Sequence, residues 1–246
     1  MHVVITGAST GIGAGLARGW AREGVELTLV SRSRPDLGID ARFVHADLAR
    51  PDPDLSWVRE RPIDVLVNNA GVQLVGPTEG LDPARVDAMM WLDLLAPLAI
   101  LQAAAPAMLA RGAGTIVNVS SMAALAPTPG MTHYNAAKAG LAAASESLRG
   151  EWRGTGVNVV TVYPGPVRTR LAETALVAYG PMTRSLPVGT VEGLAERVLA
   201  AVAARRGRVV YPWYYGAARY WPGTTRWILD RVTPRPRLAD SDATTG

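Results

Sequence analysis

His2-Val3-Val4-Ile5-Thr6-Gly7-Ala8-Ser9-Thr10-Gly11-Ile12-Gly13 opens the chain as an apolar run that passes into a glycine loop. A helical pattern through Leu16, Trp20 and Ala21 follows. Strand, glycine loop and helix in that order let backbone N–H groups and the positive start of a helix approach a pyrophosphate with no Cβ in the way. The glycines at 7, 11 and 13 depart from the usual G-x-G-x-x-G spacing, so a turn used only for tight packing is the competing reading.

Working outward, Val25 to Val30 reads as a second strand followed by Ser31, Arg32, Ser33 and Arg34. Residues at that point meet the adenosine ribose. An acid would accept from a free 2′-OH, whereas arginine with serines suits a 2′-phosphate, so NADP is expected over NAD. Pro35 to Ala41 leaves room for little more than a turn before the strand Arg42 to His45, with Asp47-Leu48 after it. Ile63 to Val67 is the next strand, ending in Asn68-Asn69-Ala70-Gly71, whose small residues allow close backbone approach to a ring or sugar. Asp82-Pro83 starts a long helix toward Arg111, bent by Pro97 and Pro106.

Thr115 to Val119 then leads to Ser120-Ser121 at the carboxyl end of a strand, where ligands bind in open α/β sheets. Helix 132 to 153 is followed by the strand Val157 to Val162, which ends in Tyr163-Pro164-Gly165-Pro166-Val167-Arg168-Thr169. A mobile, small-residue region is expected from Glu173 to Gly189, then a helix from Val191 to Ala204 and a strand from Arg208 to Tyr211. Residues 1 to 238 read as a single domain, and 239 to 246 as a disordered tail.

Helix 132 to 153 holds Tyr134-Asn135-Ala136-Ala137-Lys138, and Lys138 is the only lysine beside 24 arginines. Four helical residues place Tyr134 and Lys138 on one face. A phenol is a weak acid or base at neutral pH, and a cation beside it lowers its pKa. A compact ammonium also suits two adjacent sugar hydroxyls. A surface tyrosine and a solvated lysine would give the same spacing.

The 246 residues, with 48% hydrophobic content, fit one large α/β domain. The absence of cysteine excludes disulfides and thiolate metal sites, and three scattered histidines leave no metal site expected. With the first strand beginning at His2 and Leu94 to Ala110 interrupted by Gln102 and two prolines, the chain reads as cytoplasmic and not membrane-spanning. Residues 197 to 237 hold nine arginines against the single acid Asp230. This local basic patch argues against a nucleic-acid-coating protein.

In order along the chain, Thr-Gly-x-x-x-Gly-x-Gly, Asn-Asn-Ala-Gly, Ser, Tyr-x-x-x-Lys and Pro-Gly-Pro-Val-x-Thr closely resemble the classical short-chain dehydrogenase/reductase family from Val3 to about Thr169. The resemblance implies a doubly wound, mostly parallel seven-stranded sheet, the Rossmann fold. It implies an oxidoreductase that moves hydride between NADP(H) and a carbonyl or secondary alcohol. Tyr134 then resembles the general acid or base, and Ser121, thirteen residues earlier, the donor to the substrate oxygen, with Ser120 the less favoured candidate. Lys138 would hold the nicotinamide ribose.

The cofactor set is Gly7, Ser9, Thr10, Gly11, Ile12, Gly13, Ser31, Arg32, Ser33, Asp47, Leu48, Asn69, Ala70, Gly71, Tyr134, Lys138, Pro164, Gly165, Val167 and Thr169. Met122, Leu125, Met131 and the region from Leu171 to Met182 are expected to line an apolar substrate pocket beside Ser121 and Tyr134. The helices carrying Asp93 and Tyr134 form the family's usual dimer surfaces, so a homo-oligomer, dimer or tetramer, is expected.

Two departures stand out. Where the family has an asparagine that completes a tetrad through water, this chain has Leu92-Asp93-Leu94. Asp93 could hold that water and strengthen the lysine's charge, or pair with Lys138 and weaken the relay. The second reading allows an NADP-binding sensor without turnover. Residues 211 to 227 also gather Tyr211, Trp213, Tyr214, Tyr215, Tyr220, Trp221 and Trp227 with Arg219 and Arg226. An interfacial belt on anionic lipid, as in a membrane-peripheral lipid-handling reductase, or a wall for a bulky substrate would use them. Packing on the domain or a twin subunit is preferred, because Pro222 and Gly223 prevent one continuous amphipathic helix.

Overall fold

The computed structural model describes residues 1–179 and 187–233. Its strands are β1 (His2–Thr6), β2 (Glu26–Ser31), β3 (Arg42–His45), β4 (Val65–Asn68), β5 (Gly114–Val119), β6 (Val157–Pro164) and β7 (Arg208–Tyr211). They form one sheet of order β3-β2-β1-β4-β5-β6-β7, with every neighbouring pair parallel. The helices are α1 (Gly11–Trp20), α2 (Pro83–Met90), α3 (Ala96–Arg111), α4 (Thr132–Glu151), α5 (Arg170–Tyr179), α6 (Val191–Ala203), α7 (Ala217–Tyr220) and α8 (Pro222–Val232).

The apolar strand runs are continuous because both sheet faces are covered. Val3, Ile5, Leu29, Val67, Val117 and Val162 turn to one face, where Leu16 and Trp20 of α1 and Leu194 and Val198 of α6 pack on them. Their neighbours Val4, Val30, Leu66, Ile116 and Val159 turn to the other, against Ile100, Ala104 and Met108 of α3. Ile5, Leu66 and Ile116 are fully buried, each worth about 1.5–3 kcal/mol of transfer free energy.

No helix joins β2 to β3. Leu37, Ile39 and Ala41 of that short crossover pack directly on the core. From β1 the chain winds outward one way through β2 and β3, then returns to start β4 on the other side of β1. The reversal opens a crevice at the carboxyl ends of β1 and β4, where the Gly7 loop and Asn69-Ala70-Gly71 emerge.

The long helix expected from Asp82 to Arg111 is built in three pieces. Asp82 caps α2 by accepting the Ala84 N–H at 3.1 Å. A π-helical turn, Trp91–Leu95, separates α2 from α3, and the Ala96 N–H bonds to the Trp91 carbonyl, one residue beyond an α-helical partner. Pro97 has no N–H to bond the Asp93 carbonyl four residues back, so the wider turn falls beside it. Pro106, by contrast, lies inside an uninterrupted α3. Pro83–Arg111 is long and apolar enough by composition to cross a membrane, yet α3 packs on the sheet and the π turn carries the buried Asp93.

Other expectations need correction. The region 173 to 189, read as mobile, begins inside α5 (Arg170–Tyr179) and ends at Gly189, which pairs with Val167 in a parallel bridge; 180 to 186 lie outside the described residues. Part of the Leu171 to Met182 wall and the 239 to 246 tail lie outside the described residues. Of the late aromatic cluster, Tyr211 and Tyr215 pack on the domain, while Trp213, Tyr214, Tyr220, Trp221 and Trp227 are exposed.

Candidate active site

One turn of α4 sets Tyr134 beside Lys138, and both side chains are buried. The Lys138 ammonium lies 5.8 Å from the centre of the Tyr134 ring and donates to the Val119 carbonyl at 3.2 Å. The Asp93 carboxylate stands across from it, with Oδ2 3.0 Å from Nζ but off the direction of an aligned hydrogen bond. Its other oxygen, Oδ1, accepts the Val72 N–H at 2.8 Å. Of the two sequence-based alternatives for Asp93, the geometry is direct pairing with the lysine.

Gly71 is small because this pair fills the space next to it. A Cβ there would lie 3.0 Å from Asp93 Oδ2 and 3.1 Å from Lys138 Nζ.

Burial disfavours charge on all three groups, and their neighbours decide the balance. For Lys138, burial pushes the pKa down, but the Asp93 charge and Tyr134 outweigh it and hold the ammonium above its ordinary value. Burial pushes the Asp93 carboxyl up against the pull of Lys138 and the Val72 N–H. Because Oδ1 accepts the Val72 N–H and Oδ2 lies 3.0 Å from the ammonium, the pair is read as ionised. For Tyr134, burial pushes the phenol up, Lys138 pulls it down, Asp93 pushes it up again, and a hydrogen bond with Ser121 pulls it down. The balance is above 10, so the expected depression by Lys138 is not met by the chain alone. The Asp93 charge offsets part of the lysine's field.

The two serines after β5 separate cleanly. Ser120 is buried and its hydroxyl donates to the Lys138 carbonyl at 2.8 Å, so it ties α4 to the sheet. Ser121 accepts the Ala123 N–H at 3.1 Å, and its hydroxyl is near enough to the Tyr134 phenol to pull its pKa down. The geometry thus favours Ser121 over Ser120 as the group beside the tyrosine.

Sequence reasoning missed the polar chain beneath the site. Asn68 donates to Asn118 Oδ1 at 2.8 Å and to the Pro97 carbonyl at 3.3 Å. Asn118 donates to the Ser145 hydroxyl at 2.8 Å, and Ser145 to the Leu141 carbonyl at 2.7 Å. These buried bonds link the start of α3, which follows the π turn carrying Asp93, to β4, β5 and α4, the helix carrying Lys138. Asparagines inside otherwise apolar strands were the available signal.

At the switch point, Gly7 has φ +64° and a Cβ on it would meet Ala70 Cα at 2.6 Å, while one on Gly13 would collide with the Gly7 carbonyl. Thr6 Oγ1 accepts the N–H groups of Asn69 and Ala70 at 3.0 and 3.1 Å. The Asn69 side-chain amide donates to the Thr6 and Gly7 carbonyls, both at 3.0 Å. Asn69, expected among the cofactor residues, therefore braces the glycine loop with its side-chain amide. A cradle of this kind, bare of Cβ atoms at the start of α1, fits a dinucleotide pyrophosphate.

The remaining expected cofactor residues ring the crevice in different ways. Ser31 donates to the Ser33 carbonyl at 2.7 Å and closes the turn on which Arg32 and Ser33 stand exposed. Asp47 accepts the Ala49 N–H at 3.1 Å. Leu48 and Val167 have buried side chains in the apolar clusters, so their backbones are what they can offer a ligand. Pro164 and Gly165 end β6, where the Tyr215 ring packs on Gly165. The Thr169 methyl lies beside Gly11 and closes the far end.

The expected substrate wall is split in two. Met131 joins Tyr134, Leu74, Val75, Ala123 and Tyr179 in one cluster, whereas Met122 and Leu125 belong to another with Tyr163, Ala218 and Tyr215. Sequence spacing missed Leu74 and Val75, which reach the tyrosine only through tertiary packing, whereas Tyr179 lies in the expected region from Leu171 to Met182.

Comparison with known proteins identifies the class that this fold and site define. The short chain dehydrogenase family model matches residues 1–178, and the chain belongs to that family. The ketoacyl reductase HetN of a Nostoc species is 34% identical over 224 residues, covering 85% of this chain and 77% of that protein. A short-chain dehydrogenase from Sphingobium yanoikuyae, solved in complex with NADPH, superposes with a TM-score of 0.78 at 30% identity, covering 97% of this chain and 98% of that one. An alcohol dehydrogenase from Comamonas testosteroni, described as specific for bulky-bulky ketones, has a TM-score of 0.75 at 28% identity, covering 97% and 96% of the two chains. The chain is thus an oxidoreductase of Rossmann-like fold within this family.

Proposed function

We propose that the protein is an NADP(H)-dependent carbonyl reductase or alcohol dehydrogenase acting on a mostly apolar substrate. The observation that carries this reading is the buried Tyr134–Lys138 pair with Ser121 at the phenol, set at the carboxyl edge of the sheet beside the glycine cradle. The cofactor supplies or accepts the hydride when bound.

The chain's own groups supply the rest. The Ser121 hydroxyl donates to the substrate oxygen and orients it toward Tyr134. Tyr134 gives its phenolic proton to that oxygen in reduction and takes it back in oxidation. Lys138 holds the nicotinamide ribose hydroxyls and favours the phenolate that forms. Asp93, anchored by the Val72 N–H, positions the ammonium directly, where the family's asparagine works through water. Leu74, Val75, Met131 and Tyr179 exclude water on one side of the phenol. Arg32, with Ser33, receives the 2′-phosphate, and the lack of an acid after β2 favours NADP over NAD.

A second copy of the chain is proposed for the apolar groove of about 510 Å³ between α3 and α4, lined by Leu98, Leu101, Ala105, Leu109, Leu148 and Trp152.

The test is cofactor oxidation across a panel of bulky ketones, 3-ketoacyl thioesters and sugar-derived ketones, with NADPH and NADH in parallel. Turnover with NADPH on the apolar members, and an Arg32→Ala variant that loses its NADPH preference, support the reading. Tight NADPH binding with no turnover on any member would favour a nucleotide-binding sensor, the reading that the Asp93–Lys138 pair keeps open.

A further inference from the structure

Beyond β7 the chain leaves the sheet, and what it builds there is poorly covered by the protein itself. Tyr215 and Ala218 root the segment against Met122 and Tyr163. α8 follows and packs chiefly on α7. An isolated helix of 11 residues is marginal in water. The segment nonetheless exposes Trp213 at 77%, Tyr220 at 74%, Trp221 at 64%, Trp227 at 58% and Ile228 at 45% of their surfaces. Apolar exposure on this scale marks a surface that meets something else.

The chemistry of the patch narrows the partner. Apart from Ile228 the exposed rings are tryptophan and tyrosine, amphipathic side chains that favour the headgroup level of a bilayer over a dry protein core. Arginines run among them, and the Arg231 guanidinium lies 4.0 Å over the Trp227 ring. Residues 211 to 237 hold five arginines against the single acid Asp230. A second copy laying the same segment on this one would oppose like charges, which disfavours a two-fold interface here.

We propose that the segment from Trp213 through α8 docks the protein on an anionic lipid surface, its rings entering the headgroup region and Arg226 and Arg231 pairing with lipid phosphates and carboxylates. The docking site springs from the carboxyl end of β7, the sheet edge on which Ser121 and Tyr134 stand, so the bound protein turns its substrate side toward the lipid. Of the rings for which packing on the domain or a twin subunit was preferred, Tyr211 and Tyr215 pack on the domain, and the lipid surface is proposed for the exposed remainder.

The test is co-sedimentation of the full chain with vesicles of phosphatidylcholine alone and of phosphatidylcholine with phosphatidylserine, at low and high salt, with tryptophan emission followed in parallel. The expected result is binding to the phosphatidylserine vesicles at low salt, with a blue shift in emission and release at high salt. Arg226→Glu with Arg231→Glu weakens partition at least on the order of twenty-fold, since each arginine contributes about fivefold near an anionic surface. Trp221→Ser with Trp227→Ser removes both binding and blue shift while NADPH affinity and thermal midpoint stay unchanged.

No binding to either vesicle at low salt overturns the proposal, and so does equal binding to both. If the tryptophan variant instead lowers the solution mass of a protein that ignores vesicles, the patch is a contact between copies. If a single-stranded oligonucleotide displaces the protein from vesicles at low concentration, it is a nucleic-acid surface.

Discussion

Asp93 and Lys138 form an ion pair 3.0 Å apart, closed off from solvent in the middle of the site. The π turn delivers the carboxylate and α4 delivers the ammonium. Removing one partner of a buried pair leaves the other charge uncompensated, so Asp93→Leu is expected to cost about 3–5 kcal/mol of folding stability, read by urea unfolding.

The Asp93→Asn variant keeps the shape and removes the charge. Asp93 pushes the Tyr134 phenol up, so its neutral replacement lowers that pKa. In the oxidation direction, where the phenolate acts, the limb of log kcat/KM that rises with pH should move to lower pH. An unmoved limb would mean that the Asp93 charge has no part in the proton step.

Gly71→Ala tests the same pair from the other side, because the added methyl would press on both Asp93 Oδ2 and Lys138 Nζ. Crowding of this kind typically costs about 1–3 kcal/mol. Activity should fall more than the loss of folded protein explains, since the methyl displaces the ammonium from Tyr134. Crystal or solution structures with an unmoved Lys138 would contradict this.

Much of this architecture was legible because one rule governs it. Unbroken apolar strands such as Val3 to Ile5 and Val65 to Val67 signal a sheet buried on both faces, and glycines after the first strand signal its switch point. Tyr134 and Lys138 were legible from helical spacing and from the solitary lysine. The consequence of Asp93 was not, because whether it holds water or grips the lysine depends on where Pro97 opens the π turn. Asn118 stood out only as an asparagine in an apolar strand, and its partner Ser145 did not, because nothing local distinguishes a helical serine that bonds across 27 positions from one facing solvent. The helix α5, Arg170 to Tyr179, was not legible because the small residues from Glu173 onward were read as a region without secondary structure.

Ser145→Ala should expose that hidden chain. It leaves the Asn118 amide without its acceptor in a buried site, at about 1–3 kcal/mol. The loss should appear in equilibrium unfolding, and Ser145→Thr should recover part of it if the added methyl is accommodated.

Glu146 ties α4 to β7 by accepting from Arg208 and, at 2.6 Å, from Arg149. Burial opposes its charge, but the hydrogen bonds of Arg208 and Arg149 outweigh that and hold the carboxyl below 4.5 in the folded protein. A carboxyl with a lowered folded pKa contributes stability that is present above the unfolded value and lost as pH falls through the folded one. Glu146→Gln should therefore be less stable than the parent at pH 7, with the gap narrowing as pH falls below 4.5. A gap that stays constant with pH would assign the loss to packing.

The most direct measurement is single-turnover reduction of an accepted ketone by Tyr134→Phe, with NADPH affinity measured separately. If Tyr134 is the proton donor, the chemical step slows by about 10²–10⁴-fold while NADPH binding is retained. A variant that reduces the ketone at close to the parental rate would contradict the role assigned to Tyr134 and, with it, the proposed mechanism.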